Sequence, residues 1–178
     1  HGTSRGLGDV YKRQIPFLIR TLGSLSDEEK SKFIIHKIGF ESSPKSREKV
    51  EQLAREHAVR LNWIGGVDEH DLIASYQHAN ALLFPSAAEG FGLPVVEAMA
   101  AGTMVLASDL PAHNMHLREE FLVSAENPDA WKEAISRQLS EPRDVSELMI
   151  KDAHRYSDDY FCKQLSEAWK QLFENKIR

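Results

Sequence analysis

The sequence has a single cysteine, Cys162, among its 178 residues. One thiol closes no internal disulfide and has no partner for a thiolate metal site, which excludes a disulfide-stapled scaffold and points to a reducing compartment, the cytoplasm. No apolar run reaches the length of a membrane-spanning helix, and no secretory leader pattern is present. Charge of one sign is also scarce. The 22 Lys and Arg stand against 27 Asp and Glu, a net of −5 spread along the chain without blocks. A nucleic-acid surface needs clustered basic charge, so no nucleic-acid partner is expected, while membrane contact is left open. Internal repeats, low-complexity stretches and a clear second-domain boundary are missing too. What is present is 42% hydrophobic and 28% charged residues, enough for one ordinary domain with a sizeable core.

The first fourteen residues, "HGTSRGLGDVYKRQ", do not begin with Met and resemble a translated adapter scar. Residues 1–14 are therefore expected to stand apart as a disordered head, and the chain is expected to be a fragment. "GTSRGLG" does not make a phosphate loop, because no strand precedes it and Walker spacing is absent. Residues 15–178 form the expected domain, with C-terminal helices from about 142.

From Ile15 onward, helix-like and strand-like segments alternate. "IPFLIRTLGSL" has helical spacing, and "KFIIHKIG" reads as a short strand. "SPKSREKVEQLAREHA" is an amphipathic helix with Ser43 as cap and Pro44 in its first turn. "VRLNWIG" is a strand, "DEHDLIASYQHA" a helix capped at Asp68, and "NALLFPS" a buried strand stopped by Pro85. "LPVVEAMAAG" is a helix ended by Gly102, and "TMVLAS" the next strand. "EEFLV" reads as a last short strand, and "NPDAWKEAISRQLS" as a helix capped at Asn127. In the tail, Phe161, Leu165, Ala168, Trp169 and Leu172 form an apolar helical stripe that needs a packing partner. Strands separated by single helices predict an α/β, doubly wound parallel sheet. Ligands of such sheets bind at the carboxyl ends of strands.

Immediately after one such end lies "EGFGLPVVE", Glu89 to Glu97. Pro94 at the start of a helix leaves the amides of Gly90, Phe91, Gly92 and Leu93 pointing outward. That arrangement suits a phosphate or diphosphate, and the glycines let it approach the backbone. Glu89 and Glu97, which only accept hydrogen bonds, would repel a phosphate and instead want hydroxyl donors. A nucleoside diphosphate sugar meets both demands: a diphosphate at the amides, a ribose diol at Glu97 and a sugar at Glu89. Plain helix-start charge and turn chemistry explain the same nine residues equally well.

The longer stretch "LLFPSAAEGFGLPVVEAMAAGTMVLASDLPA" resembles the donor-binding segment of the large family of retaining glycosyltransferases with the GT-B fold. In that family two glutamates eight positions apart bracket a Gly-Phe-Gly-Leu-Pro loop. "RLNWIGGVDEHDLIASYQHANALLFPS" is similar to the segment upstream of it, and the likeness runs in order from Ile15 to Arg178. The resemblance implies the Rossmann-like C-terminal half of a GT-B fold lacking its first strand, with a nucleotide sugar donor as ligand and an acceptor-binding N-terminal domain of the same chain as partner. It further implies hexose transfer to a hydroxyl with retention, without an obligatory metal or other cofactor. By position, Glu97 would bind the ribose, and Glu89 would stand at the donor hexose near the reacting carbon as the catalytic residue. Phe91, Gly92 and Leu93 would offer amides, Val67 would sit by the base, and Ser86 would lie near the diphosphate. Met104 stands where the family usually has proline. "HNMHL" replaces a stretch that commonly carries a ligand-contacting glutamate. The basic residues that neutralise the diphosphate would lie upstream of Ile15, so the isolated chain is expected to hold donor poorly.

Three further features have simpler readings. His113 and His116 have a helical ligand spacing but no third ligand, and a solvated loop is expected. Trp63, Trp131 and Trp169 sit in apolar patterns as core or interface anchors. The paired carboxylates would also suit a glycoside hydrolase, but their glycine-loop setting fits phosphate-bearing ligands better. A non-catalytic nucleotide-binding Rossmann-like module is the alternative function, and it would have no use for Glu89.

Overall fold

Several helix starts in this chain are fixed by side chains that satisfy the orphan amides of a first turn. Ser43 Oγ accepts from the Ser46 amide at 3.2 Å, Asp68 Oδ1 from Asp71 at 2.8 Å and Asn127 Oδ1 from Ala130 at 3.2 Å. All three caps are those expected from the sequence. A computed structural model describes residues 7–39 and 43–159. Its elements run α1 (Leu7–Gly23), α2 (Asp27–Ser31), β1 (Ile35–Ile38), α3 (Pro44–Glu56), β2 (Leu61–Gly65), α4 (Glu69–His78), β3 (Leu82–Phe84), α5 (Leu93–Ala100), β4 (Val105–Ser108) and α6 (Pro111–Asn114). A 3-10 turn (Glu119–Phe121) then leads into β5 (Leu122–Val123), followed by α7 (Pro128–Ser140), α8 (Ser146–Ala153) and a second 3-10 turn (His154–Tyr156).

Every strand pair is parallel, as single-helix crossovers require. β1 pairs with β2, and β4 lies between β3 and β5. Among the described residues no pairing joins the two groups, so the expected single sheet is seen as two parallel segments. β4, flanked on both sides, is buried at all four residues, which is why "VLAS" reads as a continuous run with no alternation. The helices pack in two sets: α1 against α3 and α7, and α5 against α4 and α8. The core between them centres on Trp131, Phe121, Ile19, Leu22, Met99 and Met149. Trp131 is thus the core anchor it was read to be, with Phe17 edge-on to it at 6.5 Å. Trp63 is only half-buried, its indole N–H donating to the Gly39 carbonyl at 3.2 Å.

The head corrects one expectation. α1 starts at Leu7, inside the segment expected to stand apart, and carries Pro16 in its interior. Proline is common at a first turn, so Pro16 suggests a helix start, and polar Gln14 reads as a surface position. Gln14 is buried and its amide donates to Ser86 Oγ at 3.0 Å, tying α1 to the end of β3. α2 was not foreseen, although Ser26 and Glu29 form a complete capping box. Cys162, Trp169 and the tail stripe lie outside the described residues.

Candidate functional site

β3 ends at Phe84, the chain turns through buried Pro85 and Ser86, and the glycine loop then delivers α5. Gly92 is the residue just before α5 and takes the left-handed conformation, φ 82° and ψ 43°, which glycine adopts without the penalty a Cβ brings. Among the described residues, the amides of Phe91, Gly92 and Leu93 meet no acceptor. The Gly90 amide, expected to be open, donates instead to Glu89 Oε1 at 3.2 Å. Three adjacent amides at a helix start are therefore left without a protein acceptor, with Phe91 and Leu93 exposed and Gly92 buried between them, an arrangement that can take an anion or an electron-rich oxygen.

Both glutamates are half-buried, one at each end of this ledge. Glu97 Oε2 accepts a hydrogen bond from the Tyr76 hydroxyl at 3.2 Å, which leaves Oε1 without a partner among the described residues. Burial, and then the negative charge and hydrogen bond of Glu97, push the Tyr76 phenol well above its ordinary pKa, so it stays a donor. Thr103 Oγ1 in turn donates to the Tyr76 carbonyl at 2.6 Å, fixing that turn of α4. Sequence reasoning missed Tyr76. Its place four residues after Leu72 in α4 was a local signal, but its partner lies 21 positions away.

The expectation of a solvated loop at His113 and His116 is overturned: their relative exposures are 0% and 1%. α6 is a single turn beneath the glycine loop: His113 within it and His116 just after it turn inward, while Asn114 and Met115 stay exposed. His113 Nδ1 donates to the Ser108 carbonyl at 2.7 Å, and its ring stands edge-on to Phe84 at 5.5 Å. Its Nε2 is buried without a partner. His116 spends both ring nitrogens, one on the Phe91 carbonyl and one on the Tyr156 hydroxyl. No local feature of "HNMH" announces this arrangement.

Burial holds the His116 imidazole below the ordinary histidine pKa; the Phe91 carbonyl opposes this and the Arg155 guanidinium and His113 reinforce it. The unfolded chain takes up a proton near pH ~6.5, whereas the folded one resists until lower pH. Stability supplied by neutral His116 is thus fully present above the ordinary value and is lost as pH falls towards the depressed one. The slope from one such group is at most about 1.4 kcal/mol per pH unit. Chemical denaturation between pH 5 and 8 is expected to show this loss in the wild type and a flatter profile in His116→Gln. Identical slopes would mean that His116 titrates normally.

Val67 follows β2 at the same carboxyl-end rim, half-buried, after exposed Gly66. Ser86 is buried, accepting from Gln14 and donating to the Ala88 carbonyl at 2.8 Å, so its hydroxyl is spent inside the protein. Two surface hollows, one of about 590 Å³ beside Phe17 and Arg20 and one of about 190 Å³ beside Leu122 and Arg137, share no residue with the loop. The site is an open ledge.

Parallel strands with crossover helices, and a glycine loop bracketed by carboxylates beyond the end of β3, define a Rossmann-like half of a GT-B glycosyltransferase fold. Residues 10–156 match the family described as Glycosyl transferases group 1, and the chain belongs to that family. The D-inositol 3-phosphate glycosyltransferase of Corynebacterium urealyticum is 33% identical over 140 residues, covering 75% of this chain and 32% of that protein. Sucrose-phosphate synthase from Thermosynechococcus elongatus superposes with a TM-score of 0.71 at 24% identity, over 93% of this chain and 43% of that one. Anabaena Alr3699/HepE, solved in complex with UDP and glucose, gives a TM-score of 0.72 at 16% identity, over 87% and 44% of the two chains. The chain thus spans less than half the length of each of these proteins. Among the described residues, no helix is long and apolar enough to cross a membrane.

Proposed function

We propose that this chain is the donor-binding part of a retaining glycosyltransferase that moves a hexose from a nucleoside diphosphate sugar to a hydroxyl acceptor. The observation that carries this reading is the ledge itself: three open amides between two carboxylates, with one oxygen of Glu97 already held by Tyr76. The amides of Phe91, Gly92 and Leu93 receive the diphosphate and sugar oxygens. Glu97 Oε1 accepts from a ribose hydroxyl, and Glu89 lies at the hexose beside the anomeric carbon. Val67 borders the base through its backbone. Ser86 would meet the diphosphate only from beneath the loop, by supporting the backbone there.

In the reaction, the bond between the anomeric carbon and the diphosphate oxygen breaks, and a bond to the acceptor oxygen forms on the same face. The acceptor's proton passes to the departing phosphate oxygen, so no metal and no protein base is needed. The acceptor is held by a second domain of the same protein, in keeping with the greater length of the relatives. A reducing, cytoplasmic setting fits the lone cysteine.

Calorimetry with uridine and guanosine diphosphates on the full-length protein tests the binding half of this reading. Wild type is expected to bind at least one of them, and Glu97→Ala to weaken that binding by about tenfold or more, the worth of a hydrogen bond to a charged acceptor. The 2′-deoxy form, which keeps only the 3′-hydroxyl of the diol, should bind the wild type more weakly and lose less affinity on the substitution. Equal affinity of wild type and Glu97→Ala for the ribonucleotide would reduce Glu97 to a helix-start charge.

A further inference from the structure

Behind the glycine loop, three segments distant in sequence meet in a cluster of rings. The Phe91 ring is edge-on to His116 at 4.6 Å and to Tyr156 at 6.0 Å, and His116 is edge-on to Tyr156 at 5.1 Å. His116 Nε2 faces the Phe91 carbonyl, which can only accept, so Nε2 carries the proton. In the neutral ring Nδ1 is then an acceptor, and the Tyr156 hydroxyl donates to it. The Met115 carbonyl, 3.2 Å from that hydroxyl, is the competing acceptor for its one proton and lies farther off than Nδ1 at 2.5 Å. Arg155 donates to the His116 carbonyl at 2.7 Å and lies over the Tyr156 ring at 5.1 Å. Tyr156 thus holds His116, and His116 holds the loop.

A trans peptide unit is planar, with its C=O and the following N–H pointing in opposite directions. Turning the Phe91 carbonyl inward to His116 therefore turns the Gly92 N–H the opposite way, away from His116 and towards the side of the loop where Phe91 and Leu93 are exposed. Without such an anchor this peptide is easily flipped, because a flip turns ψ of Phe91 and φ of Gly92, and Gly92 tolerates either sign of φ. We propose that His116, oriented by Tyr156, is a positioning residue that aims the Gly92 amide at the bound donor. The role rests on the donor-binding reading above and needs no contact between His116 and the ligand.

The test uses the active full-length protein, with steady-state kinetics on its nucleotide sugar, and compares His116→Leu, His116→Gln and Tyr156→Phe. Gln can present an amide N–H where Nε2–H stood, whereas Leu only fills space. His116→Leu is expected to lower kcat/KM by about tenfold or more, the loss of one aimed donor, with Gln restoring it to within about threefold. Tyr156→Phe keeps the ring and loses only the hydroxyl, and a loss of several-fold is expected. A merely structural ring would lower the melting temperature without this ranking. If Gln fails as badly as Leu, or Leu leaves kcat/KM unchanged, the inference is overturned. Should His116→Leu not fold, unchanged kcat/KM in Tyr156→Phe overturns it instead. A wild type that neither binds nor consumes any nucleoside diphosphate sugar overturns the donor-binding reading itself, and the positioning role falls with it.

Discussion

Glu89→Gln is expected to lower kcat by about a hundredfold or more while leaving nucleoside diphosphate affinity within about threefold of wild type, because the carboxylate is proposed to act on charge that develops only as the glycosidic bond breaks. Sugar transfer passes through a state in which positive charge builds at the anomeric carbon and ring oxygen, and a fixed negative charge nearby is worth most at that moment. Glutamine is the informative replacement. It keeps the volume and an acceptor oxygen, so the Gly90 amide that now donates to Glu89 Oε1 retains a partner and the loop keeps its shape. What disappears is the charge. Steady-state kinetics and calorimetry on the same preparations separate the two effects. Unchanged kcat would remove Glu89 from the reaction and favour a module that binds nucleotides without acting on them.

Much of the framework was legible because it is written in local chemistry. Ser43, Asp68 and Asn127 each sit one residue before a helix and cap it themselves, and Pro44 and Pro128 occupy first turns. The order of strands and helices follows from apolar spacing, and the glycine loop from its own nine residues. Features set by distant partners were not legible. Tyr76 meets Glu97 across 21 positions, and His116 reaches Phe91 across 25 and Tyr156 across 40. "HNMH" looks like a polar loop, and only the tuck of α6 under the ledge turns both rings inward. At the other end, Pro16 and polar Gln14 pointed to a helix that starts near Ile15, whereas α1 runs through both and the Gln14 amide finds Ser86 in the interior.

The two loop glycines offer the sharpest separation of backbone need from mere turn composition. Gly90 lies outside the left-handed region, and a Cβ added there would meet nothing within 4 Å. Gly92 is left-handed, and its Cβ would come within 3.0 Å of His113 Cδ2 and 3.4 Å of Nε2. His113 has no room to yield, being fully buried and tied to the Ser108 carbonyl. Gly92→Ala thus combines a left-handed penalty of about 1–2 kcal/mol with a close contact against a fixed ring. The chain can escape both by swinging Gly92 to negative φ, but that move also swings the outward amides away from the ledge. Thermal melts and calorimetry are therefore expected to show a lower melting temperature and at least tenfold weaker donor binding for Gly92→Ala. Gly90→Ala should stay close to wild type in both. If the two variants behave alike, the left-handed turn at Gly92 is not what shapes the site. If only Gly92→Ala loses binding, the aimed amides are what holds the donor, and the carboxylates at either end select among the ligands that those amides admit.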